Sequence, residues 1–303
     1  MIVPLHPPFD FALTVRAAGI MSVVGRAEAG RYRRLFRAGD GLALIELTDE
    51  STAPEQPAVR AILIAESGMV DHAALWADVR HWLNPDADRR AFHAYAAADR
   101  TLGALVAPLH GMHPFRFERV FDALMATMIE QQISLRAAQL AETWLCAWGG
   151  HTLTHDGVQY AVFPRMSQIA AASVEALKPL KITFGRISRL IEIARLGMSG
   201  QIDFAALRAA PFDVVYPALM ALKGVGHWTA AWTIIRACGL PVYIGRADVA
   251  LRAAVNRAFF DQPGRADPDT MDALFAAFGA HAGDAAYHTI IAYALERYSP
   301  PTA

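Results

Sequence analysis

The spacing of apolar residues changes from strand-like to helical along the chain. Between Phe9 and Glu66, apolar residues recur at short period in "FDFALTVRA", "YRRLFRAGDGLALIELTDE" and "AVRAILIAE", with glycine-containing turns between them. This pattern predicts an antiparallel sheet. From Asp71 to Leu105 the spacing becomes helical, as in "DHAALWADVRHWL". A sheet backed by helices predicts an N-terminal α+β domain over residues 1–108.

The chain beyond residue 108 is helical in pattern almost throughout. The prolines, glycine and histidines of "APLHGMHPF" are typical of a linker. The candidate helices that follow are separated by Gly, Pro or a capping residue, and they span 117–130, 134–148, 167–173, 184–198, 203–208, 212–222, 227–238, 248–259, 268–278 and 284–297. The sequence therefore predicts an all-α region over residues 109–303. The expected fold is mainly α, with helical bundles and one small antiparallel sheet.

Composition excludes several classes of protein. Although 54% of the residues are hydrophobic, many are alanine and no apolar run is long enough to cross a bilayer, so a membrane protein is not expected. The first residues carry no basic stretch and no small-residue cleavage site, which predicts a cytoplasmic protein. The only cysteines, Cys146 and Cys238, are too few for a disulfide framework, a four-cysteine zinc site or an iron–sulfur cluster.

The balance of charges limits the chemistry without identifying a partner. The net charge is -1, whereas proteins that bind nucleic acid usually have a basic surface, so a nucleic-acid partner requires a local patch. Of the 28 basic residues only three are lysines, namely Lys178, Lys181 and Lys223. Schiff-base chemistry therefore has very few candidate nucleophiles.

A glycine-bearing turn joins two of the predicted helices in "LKGVGHWTAAW". Gly224 and Gly226 fit an ordinary helix–helix connection, in which glycine takes the left-handed conformation that ends a helix. They also fit an anion site, because glycines leave the amides at the start of the next helix uncovered, where the helix dipole favours a phosphate. Such a hairpin binds DNA backbone without a basic side chain.

A single acidic residue, Asp248, opens the following helix in "GRADVALRAAVNRAF". A lone aspartate at this position is commonly a helix N-cap. After a glycine hairpin and an aromatic-bearing helix, a second interpretation is a carboxylate beside a sugar, where it would stabilise positive charge at the anomeric carbon and orient or deprotonate water. The residues alone leave both interpretations open.

These segments resemble the helix–hairpin–helix DNA glycosylase superfamily and, within it, the 3-methyladenine DNA glycosylase II (AlkA) family. "LKGVGHWTA" is similar to the hairpin, at about 222–230, and "GRADVALR" to the segment with the essential aspartate. The resemblance extends over most of the chain through "PPFDF", "FDALMATMIEQQISLRAA" and "FPRMSQIAAASVEALKPLKITFGRISRLIEIAR". It implies a helix–hairpin–helix glycosylase fold and the release of alkylated purines, 3-methyladenine and 7-methylguanine, from DNA.

The resemblance also implies the type of reaction. Asp248 falls at the catalytic aspartate, and Trp228 holds the place where bifunctional members carry a lysine that attacks the sugar. Tryptophan forms no Schiff base and Lys223 precedes the glycines, so the resemblance implies a monofunctional enzyme of base excision repair that flips the base and leaves an abasic site. The alternatives are a glycosylase for deaminated bases such as hypoxanthine and a non-catalytic helix–hairpin–helix DNA-binding module.

Three aromatic residues are candidates for the base pocket. Trp228 and Trp232 are four residues apart and share a helix face, and their ring faces would attract a cationic alkylated base. The alternative is core packing, which we expect of one of them. Tyr293 matches a further aromatic position of the family, with a core tyrosine as the alternative. The family's tryptophan–arginine pair in the last helix is replaced by "GDAAYH".

The resemblance places DNA contacts at the hairpin, at a wedge and on a later helix. The predicted residues are Gly224, Val225, Gly226 and Thr229 at the hairpin, Gln132 of the pair 131–132 as the wedge that fills the gap left by the extruded base, and Arg186, with Arg189, at a phosphate. The alternatives are a polar residue ahead of a helix capped by Ser134, and an arginine pair on a solvated helix face.

No metal or other cofactor is expected, apart from an alkali ion that the resemblance places at the hairpin carbonyls when DNA is bound. His110, His113, His151 and His155 are predicted to be exposed loop residues, because no carboxylate or cysteine matches their spacing. The expected partner is double-stranded DNA with damaged bases. The protein is expected to be a monomer, associated with the nucleoid and not with a membrane.

Overall fold

A five-stranded antiparallel sheet forms the first part of the computed structural model, which describes residues 1–28, 30–53 and 55–298. Its strands, in the order β1-β5-β4-β3-β2, are β1 (Ile2–Pro4), β2 (Gly25–Glu28), β3 (Arg31–Ala38), β4 (Gly41–Asp49) and β5 (Ala58–Ser67). A two-stranded sheet, β6 (Thr152–His155) and β7 (Val158–Ala161), packs on one face, and helices cover the other. The central strands β3 and β4 are therefore buried along most of their length.

The rest of the described chain is helical. The helices are α1 (Phe11–Met21), α2 (His72–Leu83), α3 (Arg90–Ala98), α4 (Arg100–Val106), α5 (Val120–Glu130), α6 (Leu135–Gly149), α7 (Met166–Ala171), α8 (Phe184–Met198), α9 (Phe204–Leu207), α10 (Phe212–Met220), α11 (His227–Cys238), α12 (Val249–Phe260), α13 (Pro268–Ala277) and α14 (Ala282–Tyr298). The expected fold, mainly α with a small antiparallel sheet, is confirmed. Among the described residues, no helix is long and apolar enough to cross a membrane.

The first strand predicted from "FDFALTVRA" is wrong, because this segment forms helix α1. Asp10 caps the helix by accepting a hydrogen bond from the Leu13 amide. Phe11 and Val15 pack into the core beside the sheet, whereas Leu13 and Ala17 pack into the core of the helical part. A helix that is buried on two sides shows no single apolar stripe, so its apolar residues imitate the alternation of a strand.

The β6–β7 hairpin was not predicted. Asp156 and Gly157 form its two-residue turn, with φ of 50° and 74°. An Asp-Gly pair with positive φ at both positions is the preferred turn of a tight hairpin, so "HTLTHDGVQYA" did contain the signal.

Buried ion pairs join the sheet to the helical part of the chain. Arg34 Nη2 lies 2.7 Å from Glu118 Oε1, just before α5, and Arg37 Nη2 lies 2.8 Å from Asp122 Oδ2 within it. Helices α1 and α4 also pack against α14 at the far end of the chain. These contacts join parts of the chain that lie before and after residue 108. The division into two domains at that point therefore stays a prediction.

A buried carboxyl in α6 provides a stability test. Glu142 is 4% exposed, and its pKa is raised well above the usual value by burial and by the neighbouring Glu130. A carboxyl with a raised pKa in the folded protein stabilises it at low pH, and this contribution is lost as the pH rises.

We therefore expect Glu142→Gln, which keeps the shape without the charge, to be more stable than the wild type at pH 8. The difference in unfolding free energy should be about 1 kcal/mol or more, and it should shrink towards zero at pH 5. Urea unfolding of both proteins across this pH range measures it, with Glu192→Gln on the exposed face of α8 as the control. A less stable Glu142→Gln protein at pH 8 would show instead that Arg236 holds Glu142 ionised.

Candidate active site

The turn between α10 and α11 exposes the start of α11. Gly224 has a φ of 87°, and a β-carbon there would lie 2.6 Å from Cδ of Arg189. Gly226 is the N-cap of α11, has open space where a side chain would stand, and leaves the helix without a side-chain cap. The backbone amides at this helix end are therefore accessible to a phosphate.

Gln131 holds the hairpin in place through two hydrogen bonds. Its Nε2 donates to the Gly224 carbonyl at 3.1 Å and to Thr229 Oγ1 at 2.8 Å. The Thr229 and Val225 side chains are both buried. Of the four predicted hairpin contacts, Gly226 has open space around it, Gly224 is exposed with the Arg189 side chain beside it, and the side chains of Val225 and Thr229 are turned inward.

His227, the first residue of α11, joins the hairpin to the segment that leads to α12. Its Nε2 donates to the Tyr243 carbonyl at 2.9 Å, and its Nδ1 lies 2.9 Å from the Tyr216 hydroxyl of α10. Gly245 has a φ of 86°, and a β-carbon there would lie 2.7 Å from His227 Cδ2. This close approach brings the start of α12 beside α11.

Asp248 lies at the start of α12, where the structure bears out the first interpretation of it, a helix N-cap. It is the N-cap of α12, because Oδ1 accepts a hydrogen bond from the Leu251 amide at 2.7 Å. Its Oδ2 accepts hydrogen bonds from Trp228 Nε1 at 2.7 Å and from Trp232 Nε1 at 3.3 Å. Asp248 as a residue is 6% exposed, and its carboxylate lies against the first turns of the hairpin helix and not in a remote part of the core.

The two tryptophans differ in exposure. Trp232 is 3% exposed, with the Arg236 guanidinium 4.8 Å from its ring centroid and Tyr287 edge-on at 6.3 Å. Trp228 is only half-buried. Trp232 is therefore the one of the pair that packs in the core, and Trp228 is the one that stays partly exposed.

A small cavity lies behind Trp232, between the sheet and the helices. Its volume is about 60 Å³, and Trp82, Met112, Arg236 and Tyr287 are among the residues that line it. Tyr287 lies on the same helix as Tyr293, and the sequence alone did not single it out.

Tyr293 does not join this group. Its hydroxyl accepts a hydrogen bond from Arg297 Nη1 at 3.0 Å, and its ring lines a shallow recess with Arg257 and the turn at 261–264. Tyr287 and Tyr293 are six residues apart, which on an α-helix is a rotation of about 600°, so they point about 120° apart.

The segment "GDAAYH" builds a buried ion pair at the start of α14. Asp284 pairs with Arg89, which precedes α3, and both side chains are almost fully buried. His288, one turn further on, donates from Nδ1 to the Asp284 carbonyl at 2.8 Å. The departure from the family pattern thus attaches the last helix, α14, to the residue that precedes α3.

The junction between α5 and α6 presents Gln132 to solvent. Gln132 has a φ of 58° and an exposed side chain, whereas Gln131 is turned towards the hairpin. A left-handed conformation is uncommon for a residue other than glycine and is found at functional sites. Of the two glutamines, Gln132 is the exposed one, and Gln131 is held by the hairpin.

The prediction that Arg186 contacts a phosphate does not fit the structure. Its side chain is buried, and Nη1 points to the Ile129 carbonyl at 3.5 Å. Arg189 is exposed and lies over Gly224. The side chain placed to reach a phosphate beside the hairpin is therefore that of Arg189.

The four loop histidines are not alike. His113 is buried, with Nε2 donating to the Leu83 carbonyl at 2.8 Å, and burial lowers its pKa to about 4. Its predicted exposure is wrong, whereas His110 is exposed and His151 and His155 are partly so. Within the described part of the chain, no three histidine, cysteine or acidic side chains form a group that could hold a metal ion.

Known proteins are similar to this chain in sequence and in structure. No protein-family model matches it. The DNA-3-methyladenine glycosylase of Bacillus subtilis is 28% identical over 173 residues, 57% of each chain. A probable bifunctional transcriptional activator/DNA repair enzyme AlkA of Mycobacterium tuberculosis is 27% identical over 260 residues, 84% of this chain and 50% of that protein. The matches thus span only about half the length of these relatives.

The same fold occurs in a solved structure. The 3-methyladenine DNA glycosylase from Archaeoglobus fulgidus superposes with a TM-score of 0.79 at 18% identity, and the match covers 100% of both chains. At this identity the match shows the fold alone. The chain therefore has the fold of this DNA glycosylase, and its sequence is similar to those of a DNA-3-methyladenine glycosylase and of an AlkA protein.

Proposed function

We propose that this protein is a monofunctional DNA glycosylase of base excision repair, which hydrolyses the N-glycosidic bond of alkylated purines, 3-methyladenine and 7-methylguanine, in double-stranded DNA. One observation carries the proposal: a carboxylate, Asp248, lies directly against a helix whose N-terminal amides are open. The names of the curated relatives support the choice of lesion.

The hairpin and the glutamine junction supply the DNA contacts in this proposal. The open amides at Gly226 would hold a backbone phosphate without a basic side chain, which removes the objection raised by the net charge of -1. A damaged base must leave the stack before it can react. Gln132 would fill the space that it leaves.

The chemistry requires one negative charge near the sugar. As the glycosidic bond breaks, positive charge develops at the anomeric carbon, and Asp248 would stabilise it and orient the attacking water. A cationic alkylated purine leaves as a neutral molecule, so no general acid for the base is needed. Trp228 offers no amine for a Schiff base. Lys223 is exposed and comes before the two glycines in the chain. Strand cleavage is therefore not expected.

The remaining parts of the proposal concern where the protein acts, its oligomeric state and a bound ion. The protein would act as a cytoplasmic, nucleoid-associated monomer without a resident cofactor. An alkali ion would bind at the hairpin carbonyls in the DNA complex. The Gly224 carbonyl already accepts a hydrogen bond from Gln131, and its second lone pair is available to such an ion.

Arg189→Ala is expected to weaken binding to a duplex with an abasic site roughly three- to tenfold, and to lower the salt dependence of binding by about one counterion. The reason is the exposed guanidinium beside Gly224. Fluorescence anisotropy at several salt concentrations measures both quantities. Arg195→Ala, on the same helix but near Ala170, is the control and should bind as the wild type does. Equal affinities of the two variants would place the DNA elsewhere.

The proposed activity is tested with duplexes that carry single lesions. The purified protein is incubated with 7-methylguanine, hypoxanthine or 8-oxoguanine duplexes, the released base is identified by mass spectrometry, and the strand is analysed before and after alkali. We expect release of 7-methylguanine with a strand that stays intact until alkali is added. Release of no base at all would favour a DNA-binding module, and borohydride trapping of the protein on DNA would show a lyase.

A further inference from the structure

Two indole N–H groups converge on one oxygen of Asp248. The distances to Oδ2 are 2.7 Å from Trp228 Nε1 and 3.3 Å from Trp232 Nε1. The two residues lie one turn apart on the same face of α11, which turns both N–H groups towards the start of α12. An indole nitrogen only donates, so each of these groups can be satisfied here only by an acceptor.

The two oxygens of the carboxylate differ in their remaining capacity. Each oxygen has two lone-pair directions. Oδ2 uses both for the indoles, whereas Oδ1 uses one for the Leu251 amide at 2.7 Å and keeps one. The arrangement therefore fixes the plane of the carboxylate and leaves Oδ1 as the oxygen available to a sugar or a water molecule.

The shorter of the two indole bonds comes from the more exposed ring. Trp228 is half-buried and donates to Oδ2 at 2.7 Å, whereas Trp232 is 3% exposed. Hydrogen bonds to a charged acceptor are stronger than those between neutral groups. The N–H edge of Trp228 is thus committed to the carboxylate, whatever its ring face contacts.

On the basis of the function proposed above, we infer that Trp228 is a positioning residue for Asp248. Its indole N–H holds the carboxylate so that Oδ1 faces the reacting sugar. Its effect on base release is therefore exerted through Asp248 and not through stacking on the extruded base. Trp232 supports the same oxygen from the buried side through a longer bond.

Trp228→Phe tests this role, because it removes the N–H and keeps an aromatic ring. Single-turnover base release should fall by roughly ten- to a hundredfold, the size expected for a lost hydrogen bond to a charged group. The fall should be the same for 7-methylguanine, which is cationic in DNA, and for hypoxanthine, which is neutral. Affinity for an abasic duplex should stay within about twofold of the wild type. Trp144→Phe on α6, also half-buried, is the matched control and should react as the wild type does.

A double-mutant cycle separates the two possible actions of Trp228. If it acts through Asp248, Trp228→Phe should have no further effect in a protein that already carries Asp248→Asn. Two of the six tryptophan indole signals in a nitrogen-15 NMR spectrum should also move when Asp248 is replaced, a result that does not depend on the folding of Trp228→Phe.

Three kinetic results would overturn the inference while leaving the proposed function intact. These are an unchanged rate in Trp228→Phe, a much larger loss for 7-methylguanine than for hypoxanthine, and an equal loss in the presence and absence of Asp248. An absence of movement in the indole signals would also overturn it. If the wild type released no base from any lesion, the proposed function would fall, and this inference with it.

Discussion

Asp248→Asn should reduce single-turnover release of 7-methylguanine by roughly two to four orders of magnitude, while the protein still binds an abasic duplex. The substitution removes the negative charge that lies against Trp228 in the first turn of the hairpin helix. It leaves the hairpin itself unchanged, so affinity for the DNA backbone should be close to that of the wild type.

The same substitution should also reduce stability, for a reason that the structure makes specific. An asparagine has one acceptor oxygen, whereas Asp248 accepts hydrogen bonds on both oxygens. The amide NH2 must therefore face either the indole donors or the Leu251 amide, which costs about 1–3 kcal/mol. Rates should be measured well below the melting temperature of the variant.

Asp267→Asn is the matched control for Asp248→Asn. Asp267 caps α13 through the Asp269 amide at 2.8 Å and is exposed, and asparagine caps a helix about as well as aspartate. Base release should not change. If Asp248→Asn slowed the reaction no more than Asp267→Asn, the catalytic role of Asp248 would be rejected.

Asp284→Ala should destabilise the protein by about 3–5 kcal/mol, the range found when one partner of a buried ion pair is removed. Arg89 then remains buried without its carboxylate. Burial already lowers the pKa of Arg89, which shows how unfavourable its charge is at this place. Because α14 also carries Tyr287 of the cavity wall, the base release proposed above should be lost at a lower temperature than in the wild type.

Two further variants test whether the unpaired charge of Arg89 causes the loss of stability in Asp284→Ala. Replacing both partners by apolar residues, as in Arg89→Met with Asp284→Leu, should recover much of the stability, since no unpaired charge is then buried. Glu296→Ala breaks an exposed pair with Arg257 and should cost less than about 1 kcal/mol. Chemical unfolding of the four proteins measures the differences. A mild effect of Asp284→Ala would mean that water reaches Arg89.

The helices of the second half could be predicted because their ends are marked locally. Ser134, Thr183 and Asp248 each cap the helix that follows through their own side chains, and caps are visible in sequence. Helix α1 could not be predicted in this way, because its apolar residues serve two cores at once. Its cap, Asp10, was present but the short-period pattern outweighed it.

The candidate site was predictable in its residue types but not in its orientations. Sequence identified Asp248 and the shared face of Trp228 and Trp232, yet it could not show that the indole edges face the carboxylate, which lies twenty residues from Trp228. The same limit applies to Arg186 and Arg189. Residues three apart on a helix lie close in angle, and only the packing of α8 against α5 decides which of them is buried.

The most direct test of the account compares two uncleavable duplexes. In one a neutral tetrahydrofuran replaces the deoxyribose of the damaged nucleotide, and in the other a cationic pyrrolidine replaces it, which imitates the charge of the transition state. The wild type should bind the pyrrolidine duplex at least about tenfold more tightly than the tetrahydrofuran duplex, and Asp248→Asn should bind the two alike. An equal preference for the cation in both proteins would contradict the claim that the Asp248 carboxylate stabilises charge on the sugar.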